Sequence, residues 1–150
     1  KNPKICDDKN LRAVSEILKS TKITPGDFSL AKEFIDQNSF VYFDPPYRPI
    51  SKTASFNSYA KNEFGDEDQL KLAAFFNEVS RTGARLMLSN SDPKNIDPTD
   101  DFFEKAYSGH RIERVKAFRN INSKSKNRGQ IDELLIMNYL SSSKQFTGSA

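Results

Sequence analysis

Along this chain the hydrophobic period switches repeatedly between that of a helix and that of a strand, and the alternation limits the folds open to it. The pattern predicts an amphipathic helix over residues 8–19, with Leu11, Val14, Ile17 and Leu18 on one stripe and Asp7 or Asp8 as N-cap. A short strand at 22–24 leads into the turn Pro25-Gly26-Asp27-Phe28 and a helical stretch from Ser29 to Ile35. The apolar run Phe40–Phe43 is the next strand. A helix over 67–82 follows, capped by Asp66, buried through Leu70, Ala73, Ala74, Phe76 or Asn77 and Val79, and stopped at Gly83. Then come a strand at 84–89, a short helix at 100–107, and strands at 111–118 and 131–139. Helix alternating with strand implies a mainly parallel sheet with helices on both faces. Only a loop joins the last two strands, so they should pair as an antiparallel hairpin. The expected class is α/β, a mostly parallel sheet ending in an antiparallel hairpin.

At 150 residues the chain has the length of one ordinary domain. No apolar run approaches the roughly 20 residues of a membrane span. Nothing at its start resembles a secretory signal, and the single cysteine, Cys6, excludes an internal disulfide framework; a cytoplasmic setting is expected. One histidine and one cysteine cannot furnish a usual transition-metal site. Net charge is +3 with a pI near 8.9. Arg111, Arg114, Lys116, Arg119, Lys124, Lys126 and Arg128 crowd one stretch that contains a single acid, Glu113. They suit either a phosphate-facing edge or a solvated hairpin. The chain begins at Lys1 and has methionine only at Met87 and Met137, so it reads as a processed, trimmed or excerpted piece. The small, polar tail 141–150 is expected to be disordered.

Ligands of open parallel sheets bind at the carboxyl ends of strands. Three groups stand at such ends: Asp27-Phe28, Asp44-Pro45-Pro46-Tyr47 and Ser89-Asn90. Two successive prolines offer no N–H and have fixed φ, so their carbonyls are held rigid and unpaired. With Asp44 they form a cluster of acceptors suited to an amino group, and Tyr47 adds a flat face for a ring. A planar ligand with an exocyclic amine, such as adenine, meets those terms; the plainer alternative is a strand end followed by a Pro-Pro turn. The polar loop after Tyr47 is long for a compact domain, and such loops often carry function. His110 reads as an exposed turn residue, and Phe75, Phe76, Phe102 and Phe103 read as core.

The motif "DPPY" at a strand end resembles the catalytic motif of the amino-methyltransferases that modify adenine N6 in DNA. The longer stretch "FVYFDPPYRPISKTASFNSYAKNEF" is similar to the same region of the deoxyadenosine methylases of the GATC-recognising type. "LMLSNSD" resembles their next strand and "RNINSKSKNRGQIDELLIMNY" their closing hairpin. "KNPKICDDKNLRAVSEIL" resembles the segment after their DNA-recognition insert, and "ITPGDF" their third cofactor motif. The resemblance runs over residues 1 to about 140.

It implies a partial S-adenosylmethionine-dependent, Rossmann-like methyltransferase fold. Residues 1–140 would be the C-terminal part of the catalytic domain, with the last strand inserted inside the penultimate one. By the same resemblance Asp44, Pro45, Pro46 and Tyr47 would be catalytic: Asp44 and the Pro45 carbonyl accept from the adenine amine, and Tyr47 stacks on a base rotated out of the duplex. Asp27, Phe28 and Asp44 would bind S-adenosyl-L-methionine. Ser51, Lys52, Asn57 and Tyr59 from the long loop, and Arg119, Asn122, Lys124, Lys126 and Arg128 from the hairpin, would touch double-stranded DNA. Such an enzyme works alone or in a restriction-modification pair. The family also grips its cofactor with F-x-G-x-G, and no two of this chain's six glycines form G-x-G. The expectation is therefore an adenine-specific DNA methyltransferase active only with an N-terminal half. The alternative is a non-catalytic nucleic-acid-binding or assembly module that retains part of the fold.

Overall fold

The computed structural model describes residues 6–49, 64–118 and 130–140. They fall into two compact units, Lys1–Leu30 and Ala31–Ala150.

In the first unit, helix α1 spans Asp8–Lys19. Asp7 is its N-cap, its carboxylate accepting from the Asn10 N–H at 3.2 Å. Residues 22–24, expected as a strand, are not one. A strand needs a neighbour to ladder with, and Pro25 merely biases Thr24 toward extended backbone. Beyond it Gly26 turns the chain at φ +138°, where a Cβ would come within 2.6 Å of Leu30 Cδ1. A 3-10 helix over Phe28–Phe34 follows.

The second unit is built on a four-stranded sheet. Strand β1 is Phe40–Phe43, helix α2 Asp66–Ser80, strand β2 Arg85–Ser91, helix α3 Phe102–Ala106, and strands β3 and β4 are Arg111–Phe118 and Gln130–Met137. The order is β1-β2-β4-β3. Only β1 and β2 run parallel; β4 is antiparallel to both β2 and β3. The sheet is thus mixed, not mostly parallel as the alternation suggested. The reason lies in the hairpin: its second strand inserts between β2 and β3, so one reversed strand creates two antiparallel pairings.

Register decides the two faces. Phe43 pairs with Leu88, Leu88 with Ile136, and Asn90 with Leu134, so these side chains share one face. Leu86, Leu88, Leu134 and Ile136 are fully buried there. Helix α2 covers that face: the Phe43 ring meets Phe75 at 6.2 Å and Phe76 at 5.6 Å between centroids. Phe76 continues the cluster to Tyr107, which stacks on Phe103. His110, expected as an exposed turn residue, is half-buried: its ring edge meets Phe76, and Nε2 lies 2.6 Å from Asn77 Oδ1. Burial pushes its pKa down. Phe102 is only half-buried, with a task described below.

The buried stripe of α2 differs from the expected one. Gln69, Leu72, Ala73, Phe75, Phe76 and Val79 face inward, whereas Leu70 and Ala74 are exposed. A hydrophobicity pattern passes over Gln69, yet this polar residue is wholly buried because it has partners in the loop after β1. The N-cap is Gly65, one residue before the expected Asp66, and the Asp68 carboxylate accepts from the Gly65 N–H at 3.3 Å. At the far end Gly83, with φ +88°, turns the chain toward β2. Asn138 ties the layers there: Oδ1 accepts from Leu86 N at 2.8 Å, and Nδ2 donates to Ala84 O and Ser80 Oγ.

A pair of truncations separates the observed stripe from the expected one. Phe76→Ala should lower unfolding free energy by about 3–5 kcal/mol, through lost transfer energy and the cavity left behind. Leu70→Ala, at a surface position, should cost about 0.5 kcal/mol or less, both read from urea unfolding.

Candidate active site

Strand β1 ends at Phe43, and the next residues, Asp44-Pro45-Pro46-Tyr47-Arg48, continue without regular structure past the end of β2. Prolines cannot hold such a segment by their own N–H groups, so side chains must. Gln69 Nε2 donates to the Pro46 carbonyl at 2.9 Å. Gln69 Oε1 accepts from Asn90 Nδ2 at 3.1 Å, and Asn90 Oδ1 accepts from the backbone N–H groups of Arg48 and Ser91, each at 2.9 Å. Ser91 Oγ then donates to the Arg48 carbonyl at 2.6 Å. Each amide orientation follows from the next, and both amides are 0 % exposed.

The Arg48 side chain anchors the same turn. Nε and Nη2 grip both oxygens of Asp66 at 2.7 and 3.1 Å, and Nη1 reaches Asp100 Oδ2 at 2.7 Å. The guanidinium lies over the Phe102 ring, 4.3 Å from its centroid. Its hydrogen bonds to Asp66 raise the Arg48 pKa, against desolvation, so it stays charged. Burial pushes the Asp100 carboxyl up, but Arg48 and the Phe102 N–H outweigh it and hold it below its usual range.

On the opposite face of the sheet Asp44 is exposed, and its Oδ1 accepts from Ser89 Oγ at 3.0 Å. The same Ser89 oxygen accepts from Tyr42 Oη at 2.9 Å. Tyr47 is 38 % exposed. Partial burial raises its phenol pKa. The surface therefore offers a carboxylate and an accessible aromatic ring. A carboxylate that accepts, next to a ring face, suits an amine on a planar ring.

The structure brings Asp44, Pro45, Pro46 and Tyr47 together with Ser89 and Asn90, two strand-end groups legible in the sequence. Gln69, Arg48, Tyr42 and Asp100 were missed. Only the alternation of β1 carried a signal for Tyr42, which shares a face with Asp44. Asp27 and Phe28 belong to the first unit, where Asp27 Oδ1 accepts from Ser29 N at 2.9 Å. Ser51, Lys52, Asn57, Tyr59, Arg119, Asn122, Lys124, Lys126 and Arg128 lie outside the described residues, as does the tail 141–150.

The described part of the basic run is ion-paired. Arg111 pairs with Glu113. Arg114 bridges Asp92 at 2.7 Å and Glu104 at 2.6 Å, and Lys116 pairs with Asp132 at 2.8 Å. Glu104 also takes Lys94 at 2.7 Å. Among the described residues, no group of three or more His, Cys, Asp or Glu could hold a metal ion. Nor is any described helix long and apolar enough to cross a membrane.

Comparison with known proteins gives this geometry a family. Residues 1–121 match the model of the D12 class N6 adenine-specific DNA methyltransferases. The chain is similar to the type II methyltransferase M.MjaIII of Methanocaldococcus jannaschii, with 53% identity over 140 residues, 93% of this chain and 46% of that protein. Against the type II methyltransferase M1.LlaDCHI of Lactococcus lactis subsp. cremoris, identity is 39% over 141 residues, 93% of this chain and 47% of that one. A DNA adenine methylase of Haemophilus influenzae is 34% identical over 110 residues, 73% of this chain and 36% of the relative. The chain spans about half the length of the first two curated relatives. On the match over residues 1–121, the chain belongs to the D12 class N6 adenine-specific DNA methyltransferase family.

Proposed function

We propose that this chain is the motif-bearing portion of a DNA methyltransferase that transfers a methyl group from S-adenosylmethionine to N6 of an adenine rotated out of the duplex. The observation that carries the reading is the braced end of β1: an exposed Asp44 carboxylate beside a Pro-Pro segment held from behind by Gln69 and Asn90. The resemblance assigns the Pro45 carbonyl to the amine, together with Asp44; the Pro46 carbonyl is taken by Gln69. Accepting the amine's hydrogens draws its lone pair out of conjugation with the ring and toward an electrophile. Tyr47 supplies a face on which the extruded base stacks, returning part of the few kcal/mol that unstacking costs.

A carboxylate in an acceptor-rich cluster is compatible in charge with a sulfonium cofactor. By the resemblance, Asp44, Asp27 and Phe28 are each read as contacts of that cofactor. When bound, the cofactor supplies a methyl group activated by positive sulfur. The chain's own contribution is to orient the acceptor amine for in-line transfer, where positioning provides most of the rate. With no G-x-G in the sequence, the main cofactor grip is assigned to a further portion of the enzyme, and activity to the two together. Residues 1–140 are read as one part of a single catalytic domain. Double-stranded DNA is the partner, GATC the target favoured by resemblance, and the cytoplasm the compartment.

Four measurements test this reading. In the complete enzyme, Asp44→Ala should abolish methyl transfer with the fold intact, lowering kcat more than duplex binding; Asp44→Asn, keeping one oxygen acceptor, should retain some activity. Tyr47→Phe should be mild, whereas Tyr47→Ala should lose about 1–3 kcal/mol of base stacking, read as weaker capture of a fluorescent adenine analogue. Mapping the methylated base in the same assay identifies the target. Calorimetry on residues 1–150 alone should find little or no S-adenosylmethionine binding; micromolar affinity would move the cofactor grip into this chain. Finally, replacing Lys124, Lys126 and Arg128 with Ala should weaken cognate and unrelated duplexes alike and flatten the salt dependence. An unchanged salt slope would return the hairpin loop to plain solvated surface.

A further inference from the structure

Strand register places two hydroxyls beside Asp44. Phe43 pairs with Leu88, so the next residues along each parallel strand, Asp44 and Ser89, stand side by side. Alternation puts Tyr42 on the same face as Asp44. The result is a chain of two hydrogen bonds, Tyr42 Oη to Ser89 Oγ at 2.9 Å and Ser89 Oγ to Asp44 Oδ1 at 3.0 Å.

Its polarity is fixed by chemistry. An ionised carboxylate only accepts, so Ser89 must spend its single proton on Asp44. Tyr42 must then donate to Ser89, because Ser89 has no second proton to give. The serine sits within the sheet, 4 % exposed, while the carboxylate it holds is exposed. Among the described residues, no other hydrogen bond reaches the Asp44 carboxylate. A surface aspartate rotates broadly about its terminal torsion. One charge-assisted bond from a buried, itself braced donor removes that freedom.

We propose that Ser89, braced by Tyr42, is a positioning residue: it fixes the Asp44 carboxylate through Oδ1 and leaves Oδ2 as the acceptor presented to the target amine. This rests on the methyltransferase reading of Asp44 and adds to it two residues that do not touch the reacting atoms. The consequence is kinetic. Without the brace, Asp44 still carries its charge but spends most of its time turned away from the amine.

The test is single-turnover methyl transfer by the complete enzyme on saturating unmethylated duplex, with duplex affinity and melting temperature measured alongside. Ser89→Ala should slow transfer roughly tenfold to hundredfold, the scale of a misplaced catalytic group, with duplex affinity and melting temperature unchanged. Tyr42→Phe should slow it less, since Ser89 still donates. A Ser89→Ala enzyme as fast as its parent would overturn the proposal. So would a loss accompanied by an equal loss of duplex affinity or by a lowered melting temperature, which would make Ser89 a packing residue. Asp44→Ala in the same assay separates the two levels. If that variant is inactive while Ser89→Ala is parent-like, only the positioning role fails. If Asp44→Ala itself turns over normally, the methyltransferase reading of Asp44 fails with it.

Discussion

Everything at the candidate site depends on how a segment with two consecutive prolines is held still. Such a segment lacks donors and cannot extend the sheet, so the fold supplies the missing hydrogen bonds from elsewhere. The buried amides of Gln69 and Asn90 do this, one on a helix and one on the neighbouring strand. Burying two amides is costly unless each is satisfied, and here each polar atom has a partner. Removing either would strand the other. The core beneath them, from Phe43 through Phe76 to Tyr107, keeps α2 at the distance this exchange requires.

The end of β2 divides its labour by strand alternation. Ser89 faces one side of the sheet and meets Asp44; Asn90 faces the other and meets Gln69 and the Arg48 backbone. Two adjacent residues thus govern the side chain and the main chain of the same motif. Arg48 adds a third hold, its partner Asp66 lying on the far side of residues 50–63. An exposed ion pair of this kind contributes little by itself. This one is two-pronged, partly buried and laid over Phe102, so it also fixes direction.

Much of this was legible in the residues. The strands Phe40–Phe43 and Arg111–Phe118 and the helix Asp8–Lys19 were read at their observed limits, because strong periodicity and a capping aspartate mark them. The mixed sheet was not legible in the alternation of element types, which says nothing about where a returning strand inserts; only the family resemblance implied that insertion. The strand expected at 22–24 did not form, because among the described residues no strand ladders with it, which no local pattern reveals. Asp44, Pro45, Pro46 and Tyr47 stood out because proline and carboxylate are unusual at a strand end. Gln69 did not, because its burial is a tertiary bargain with a loop more than twenty positions away. The basic run shows the same limit: the charges of Arg111, Arg114 and Lys116 are visible in sequence, as is Glu113, but that Asp92, Glu104 and Asp132 also answer them is not.

The pairing of Phe43 with Leu88 has a consequence for which changes this protein can tolerate. Because side chains alternate, inserting or deleting one residue just before β2 would offer the strand two ways to settle. It could keep its leucines under α2 and distort the turn at Gly83, or slide by one place and turn Ser89 toward the aromatic cluster. In the second case Asp44 would stand beside Leu88 after an insertion or Asn90 after a deletion, with no hydroxyl to meet it. Length variation should therefore be filtered far more severely between Ser80 and Arg85 than amino-acid exchange is. A library of indels scored separately for soluble expression and for activity would show the difference as variants that accumulate normally yet do nothing.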